Sequence, residues 1–229
     1  MLSLKKWRCV IGTALLLYMD ELTIGCMNRN NMENEIINER FLGTIFGQAV
    51  GDALGLSTEF MSKQEVDRFY PNGIEDYSQI VQDDHRRRWQ RGDWTDDTDM
   101  MLCILDSFVA CQKVDILDIA RRFKEWMMNG GMGIGRHTYN VMALGDYTSN
   151  PQKAAEIIWK MGKKKAAANG AVMRTSVVGL LKDNVANNVE GAILGAKFGI
   201  NQIPEEWKSG LLYASMLHNK VQEFYAMYR

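Results

Sequence analysis

Thr95 to Asp99 read TDDTD, three carboxylates and two hydroxyls in five consecutive positions, directly ahead of the apolar run MMLCIL. Oxygen donors at that density suit a hard cation such as Mg²⁺, which takes oxygen ligands in an octahedron. The same residues also make a good helix start. Thr95 can cap it, and acids in the first turn meet the positive end of the helix dipole. A cap accounts for one or two acids and less well for three. Neighbouring carboxylates repel, and their pKa values rise unless a cation sits among them. The spacing by itself supports a metal site and a plain cap equally. A second acid, Glu59 in GDALGLSTEF, stands one turn beyond a glycine-spaced helix, with Asp52 inside it. Glu59 also reads as a surface acid, and Asp52 as a structural hydrogen-bond acceptor.

The elements that must position these acids read as helices. In RFLGTIFGQAVGDALG, Gly43, Gly47, Gly51 and Gly55 recur every four residues and form one ridge on a helix. Each glycine costs about 1 kcal/mol against alanine there, so close approach of another helix is expected as the compensation. Gly191, Gly195 and Gly199 repeat the pattern late in the chain. Helical periodicity predicts helices over Asp96–Lys113, Asp115–Met128, Tyr139–Leu144, Gln152–Met161 and Val185–Phe198. One last helix is expected from Pro204, with Trp207 near its start. GGMGIG (Gly130 to Gly135) breaks the second of these, and Pro71-Asn72-Gly73 marks a turn. The charged loop Asp83 to Arg88 reads as solvated surface.

The 229 residues carry 27 basic and 28 acidic side chains, a balance that points to neither nucleic acid nor an anionic membrane surface. Three prolines and many helix formers favour an all-α fold. Cys9, Cys26, Cys103 and Cys111 show no CxxC spacing, and Cys103 and Cys111 sit in an apolar helical pattern, so a reduced, cytoplasmic protein is the plainer reading. Lys5, Lys6 and Arg8 precede CVIGTALLLYM, which looks like a signal peptide but is too short to span a bilayer. LTIGC ending at Cys26 is a loose lipoprotein match. Secretion or lipid anchoring through residues 1–26 is the lesser alternative to an appended start upstream of Met32. Residues 1–36 are therefore read as an extension and 37–229 as the folded domain.

GTIFGQAVGDALGLSTEF followed by GDWTDDTDMML resembles the opening of the ADP-ribosylglycohydrolase family, the dinitrogenase reductase-activating and ADP-ribosylarginine hydrolase group. MGIGRHTYNVM, AAANGAVMR and GAILGAKFGINQIPEEW continue the resemblance in order, from Arg40 to about Leu212. It implies an all-helical fold around a two-metal centre, Mg²⁺ or Mn²⁺. The implied reaction is hydrolysis of the bond joining ADP-ribose to an acceptor, on an ADP-ribosylated protein or a small ADP-ribose conjugate. By position, Thr95, Asp96 and Asp97 look like metal ligands, and Asp97 and Glu59 like the catalytic acids, Glu59 activating water or contacting the ribose. Gly133, Gly135 and His137 look like part of a loop that cradles the ribose or phosphates, and Asn169 and Gly170 line the same cleft. A monomer without a stable membrane span is expected.

One segment departs from the family. A late acidic motif, GGDTDT, is expected ahead of the second glycine ridge, and the corresponding stretch holds Lys182, Asp183 and Asn184. A cation at Lys182 repels a metal if it points inward, and Asp183, displaced by one position, turns roughly 100° away on a helix. The chain also looks shortened near Leu181, which removes part of the helical shell. The alternative is therefore a catalytically impaired member that binds ADP-ribose or a nucleotide, or a decayed product. A wholly structural helical protein gives no reason for the acid cluster.

Overall fold

Capping side chains set the starts of four of the eight described α-helices. The computed structural model describes residues 26–165, 168–180 and 199–228, and every regular element among them is helical. The α-helices are α1 (Cys26–Gly55), α2 (Lys63–Phe69), α3 (Asp96–Cys111), α4 (Ile116–Met128), α5 (Arg136–Ala143), α6 (Pro151–Met161), α7 (Glu205–Ser209) and α8 (Ala214–Tyr228). Short 3₁₀ turns join them. Ser62 and Glu65 form a reciprocal capping box at α2. Asp115 accepts the Leu117 and Asp118 N–H groups at 3.1 and 3.0 Å, and Asn150 accepts that of Lys153 ahead of Pro151. Gln112 ends α3 in the left-handed region, with φ 53°.

The chain divides into two compact units. Among the described residues the first holds 26–93 and 199–217. Its central element, α1, buries Phe41, Leu42, Ile45, Phe46, Ala49, Val50, Ala53 and Leu54. Late residues close it: the Tyr77 hydroxyl donates to the Trp207 carbonyl at 3.0 Å, and the Trp207 indole donates to the Glu75 carbonyl at 2.8 Å. The Leu212 N–H donates to the Gly92 carbonyl at 2.8 Å.

The second unit holds 94–165, 168–180 and 218–228. Here α3 packs on α4, and α5 on α6. Met100, Met101, Ile104, Leu105 and Phe108 form its apolar spine, and Phe224 of α8 lies 6.4 Å from Phe108 between ring centroids. Asp118 is held by Arg121 and Arg122, both at 2.6 Å. Burial pushes the Cys103 thiol up to about 12, which leaves it a small apolar side chain.

Several expectations need correction. The glycine ridge of α1 is not a close-packing surface over its second half. Gly51 and Gly55 are exposed, and a Cβ on either would meet no described atom within 4 Å. The helix packs instead through its large apolar face. The last helix is two, α7 and α8. Its continuation stops at Gly210, whose N–H returns to the Glu206 carbonyl and where a Cβ would lie 2.6 Å from the Tyr77 ring. The loop Asp83 to Arg88 is not simply solvated, since Arg86 is 2% exposed. Gly199 sits in a turn at φ 72°. Residues 1–25 of the extension, the expected helix Val185–Phe198 with Gly191 and Gly195, and the segment with Lys182 and Asn184 lie outside the described residues, while residues 26–36 of the extension form the start of α1. No described helix is long and apolar enough to cross a membrane.

Gly92, at φ 83°, faces the Gly210 carbonyl so closely that a Cβ has no room. Gly92→Ala is expected to destabilise the protein by about 2–4 kcal/mol. Thermal unfolding should show this as a Tm lower by roughly 5–15 °C.

Candidate active site

The three acids at the head of α3 do not share one environment. Asp96 is buried, while Asp97 and Asp99 are half-buried. Asp99 accepts two indole N–H bonds, from Trp94 to Oδ1 and from Trp126 to Oδ2, each at 2.8 Å. Both its oxygens are thus engaged by neutral donors, and its charge is drawn away from its neighbours. Trp126 is itself fixed by Gly131, whose Cα lies so close to the indole face that no side chain fits. Thr95 caps the helix, its hydroxyl accepting the Asp97 N–H at 3.4 Å.

Asp96 is where the glycine loop meets the acids. Gly133, at φ 89°, stands against its carboxylate, and a Cβ there would lie 2.5 Å from Oδ1. Only glycine permits both the left-handed backbone and that approach. Gly135 differs: it precedes α5 with φ −68° and has open space around its Cα. His137, half-buried, is the second residue of α5, and Thr138 after it is buried. Gly170 is buried against Thr138, with 2.8 Å from a would-be Cβ to the hydroxyl, and lies beside the Arg174 guanidinium. Asn169 is exposed, its amide 3.8 Å from the Met173 sulfur.

Arg174 ties these pieces together and was not singled out from the sequence. Its guanidinium lies 5.1 Å from the Phe123 ring centroid, and Nη1 donates to the Met100 sulfur at 3.0 Å. Burial pulls its pKa below the ordinary value, and interaction with Tyr147, Asp96 and Asp97 opposes that pull. Arg174 is thus a nearby positive charge that Asp96 and Asp97 feel. The available signal was its place at the end of AAANGAVMR, five residues after Asn169.

Glu59 belongs to the first unit and is described within it. It closes the 3₁₀ turn Leu56–Thr58 and is exposed. His85 Nε2 lies 2.7 Å from its Oε2. Arg86 donates through Nη2 to the Glu59 carbonyl, through Nε to the carbonyls of Leu56 and Ser57 at 3.0 and 2.9 Å, and through Nη1 to Asp83. A run of three arginines reads as solvent-facing charge, so this strut was missed.

For a metal, the head of α3 offers donors of the right type. Thr95, Asp96 and Asp97 present only oxygen, the chemistry a hard cation takes. Asp99 is occupied by the two indoles. Among the described residues no three His, Cys, Asp or Glu side chains form a group placed to hold a metal ion.

A family model described as ADP-ribosylglycohydrolase matches residues 33–190. Over 111 residues the chain is 35% identical to the ADP-ribosyl-[dinitrogen reductase] glycohydrolase of Rhodospirillum rubrum, covering 45% of this chain and 34% of that protein. It is 27% identical over 148 residues to the ADP-ribosylarginine hydrolase Tri1 of Pseudomonas putida, covering 63% and 36%. It is 32% identical over 108 residues to the ADP-ribosylhydrolase ARH3 of Danio rerio, covering 45% and 26%. The matched stretch thus spans about a quarter to a third of the length of these relatives.

Asp99→Asn tests the division of labour among the acids. An amide has one oxygen, so it turns its NH₂ toward one indole and leaves a buried donor unmet, at about 1–3 kcal/mol. The expected Tm is lower by roughly 3–10 °C. Asp97→Asn leaves both indole bonds to Asp99 in place and serves as the comparison.

Proposed function

Because the chain belongs to the ADP-ribosylglycohydrolase family, we propose that it hydrolyses the glycosidic bond between ADP-ribose and an acceptor, on a modified protein side chain or a small conjugate. The observation that carries this reading is the meeting of two motifs at Asp96 and Gly133, where the acid cluster abuts the glycine loop. Names of relatives supply the substrate class: one acts on ADP-ribosylated dinitrogen reductase and another on ADP-ribosylarginine.

Hydrolysis at the anomeric carbon needs a positioned water, a group to take its proton, and stabilisation of positive charge on the ribose ring. Glu59 is assigned the proton-accepting role. Asp96 and Asp97 present negative charge suited to a developing oxocarbenium centre, and Arg174 keeps that charge from dispersing the cluster. Thr95, Asp96 and Asp97 would hold Mg²⁺ or Mn²⁺, which lowers the pKa of a bound water when present. Gly133, Gly135 and His137, together with Asn169 and Gly170, are assigned to the ADP-ribose itself.

Incubation with an arginine-ADP-ribosylated peptide and Mg²⁺ should release free ADP-ribose, read by chromatography. Asp97→Ala should lower the rate by about 10²–10⁴-fold. No release from arginine- or serine-linked substrates, where a family enzyme works, overturns the proposal.

A second reading, a member that binds ADP-ribose without cleaving it, is motivated by the sequence, which holds Lys182 and Asn184 where the resemblance calls for aspartates. Calorimetry separates the two. Tight Mg²⁺ binding that Asp97→Ala abolishes counts against the second reading, and ADP-ribose binding indifferent to Mg²⁺ supports it.

A further inference from the structure

We propose that His85, held by Arg88 and backed by Arg86, is the positioning residue that aims the Glu59 carboxylate; the inference rests on the catalytic role given to Glu59 above. His85 Nε2 faces Glu59 Oε2 at 2.7 Å, while its other nitrogen, Nδ1, lies 2.5 Å from Arg88 Nη2. A guanidinium has only donors. Nδ1 therefore accepts, the ring proton sits on Nε2, and Nε2 donates to Glu59. Arg88 dictates the tautomer, and the tautomer dictates which carboxylate oxygen is tied down. Among the described residues no hydrogen bond is made to Oε1, so that is the oxygen turned toward a reacting water.

The rest of the loop serves the same alignment. Arg88 is anchored by its Nε, which donates to the His85 carbonyl at 3.0 Å, and by the Trp89 ring, 4.7 Å beneath the guanidinium. The His85 ring meets Phe60 and Trp89 edge to face, at 5.1 and 5.4 Å between centroids. Buried Arg86 grips the Glu59 carbonyl from the backbone side. Glu59 is thus held at both ends by consecutive residues of one loop. Phe60, next in sequence, has φ 59°. A non-glycine residue keeps such a backbone only where its surroundings impose it, and strain of this kind gathers at functional positions.

Two substitutions separate positioning from packing. His85→Phe keeps the ring and removes the N–H; His85→Gln loses the ring and offers an amide N–H at the Nε2 position. With ADP-ribosylated arginine peptide, His85→Phe should lower kcat about 10- to 100-fold with KM changed less than about threefold, as expected when a reacting group is misaimed. Its Tm should stay close to that of the unmodified protein, and His85→Gln should recover most of the rate. A His85→Phe protein as fast as the unmodified one, or a His85→Gln protein as slow as His85→Phe, overturns the inference.

Nitrogen-15 NMR of the imidazole decides the pairing whether or not the chain turns over a substrate. An Nε2–H tautomer whose proton exchanges faster in Glu59→Ala supports it, and an Nδ1–H tautomer refutes it. If no substrate is cleaved, the proposed reaction fails while this measurement still decides the pairing.

Discussion

Mutual repulsion among Asp96, Asp97 and Asp99 is the constraint around which the second unit is arranged. Three carboxylates in one helical turn are tolerable at the dipole's positive end only if something lowers their shared cost. Two different solutions appear side by side. Asp99 is turned to Trp94 and Trp126, which supply two hydrogen bonds and no charge. Asp96 and Asp97 lie within electrostatic reach of Arg174. The remaining features follow from these two choices. Trp126 can reach Asp99 because Gly131 leaves its ring face clear, and the loop that continues from Gly131 brings Gly133 against Asp96.

The first unit has a parallel logic built on one buried cation. Isolated, the Arg86 guanidinium would be costly to bury. Here its donors meet the carbonyls of Leu56, Ser57 and Glu59 and the carboxylate of Asp83. Those carbonyls belong to the turn that ends α1, where the backbone lacks helical partners. The arginine thus completes a helix terminus and fixes the residue just beyond it.

Helices were legible because their signals are local. Asp115 announces a start, GGMGIG announces a stop, and the apolar spacing of Met100, Ile104 and Phe108 names a core face. What could not be read depends on partners distant in sequence. Nothing near Gly210 says that Tyr77 will pack on it, so the break between α7 and α8 was not foreseen. Nothing in HRRR says which arginine turns inward. The glycine ridge of α1 misled for the same reason: periodic glycines show that a helix can be approached, not that it is. At the site, the acids were visible as a group, but their separation by Trp126, 27 positions after Asp99, was not.

The closure of the first unit by Trp207 and Leu212 also bears on the order of folding. Tyr77 waits 130 residues, and Glu75 132 residues, for the partner that completes its hydrogen bond. On a ribosome, α1 and the turns after it emerge with their apolar surface lacking this cover. By contrast α3 and α4 are neighbours in sequence and can pair as soon as both are made. Long loops close slowly and local pairs form early. The half of the chain synthesised first therefore waits for residues made more than a hundred positions later, and during that interval its exposed apolar helix is the surface for which a chaperone would compete.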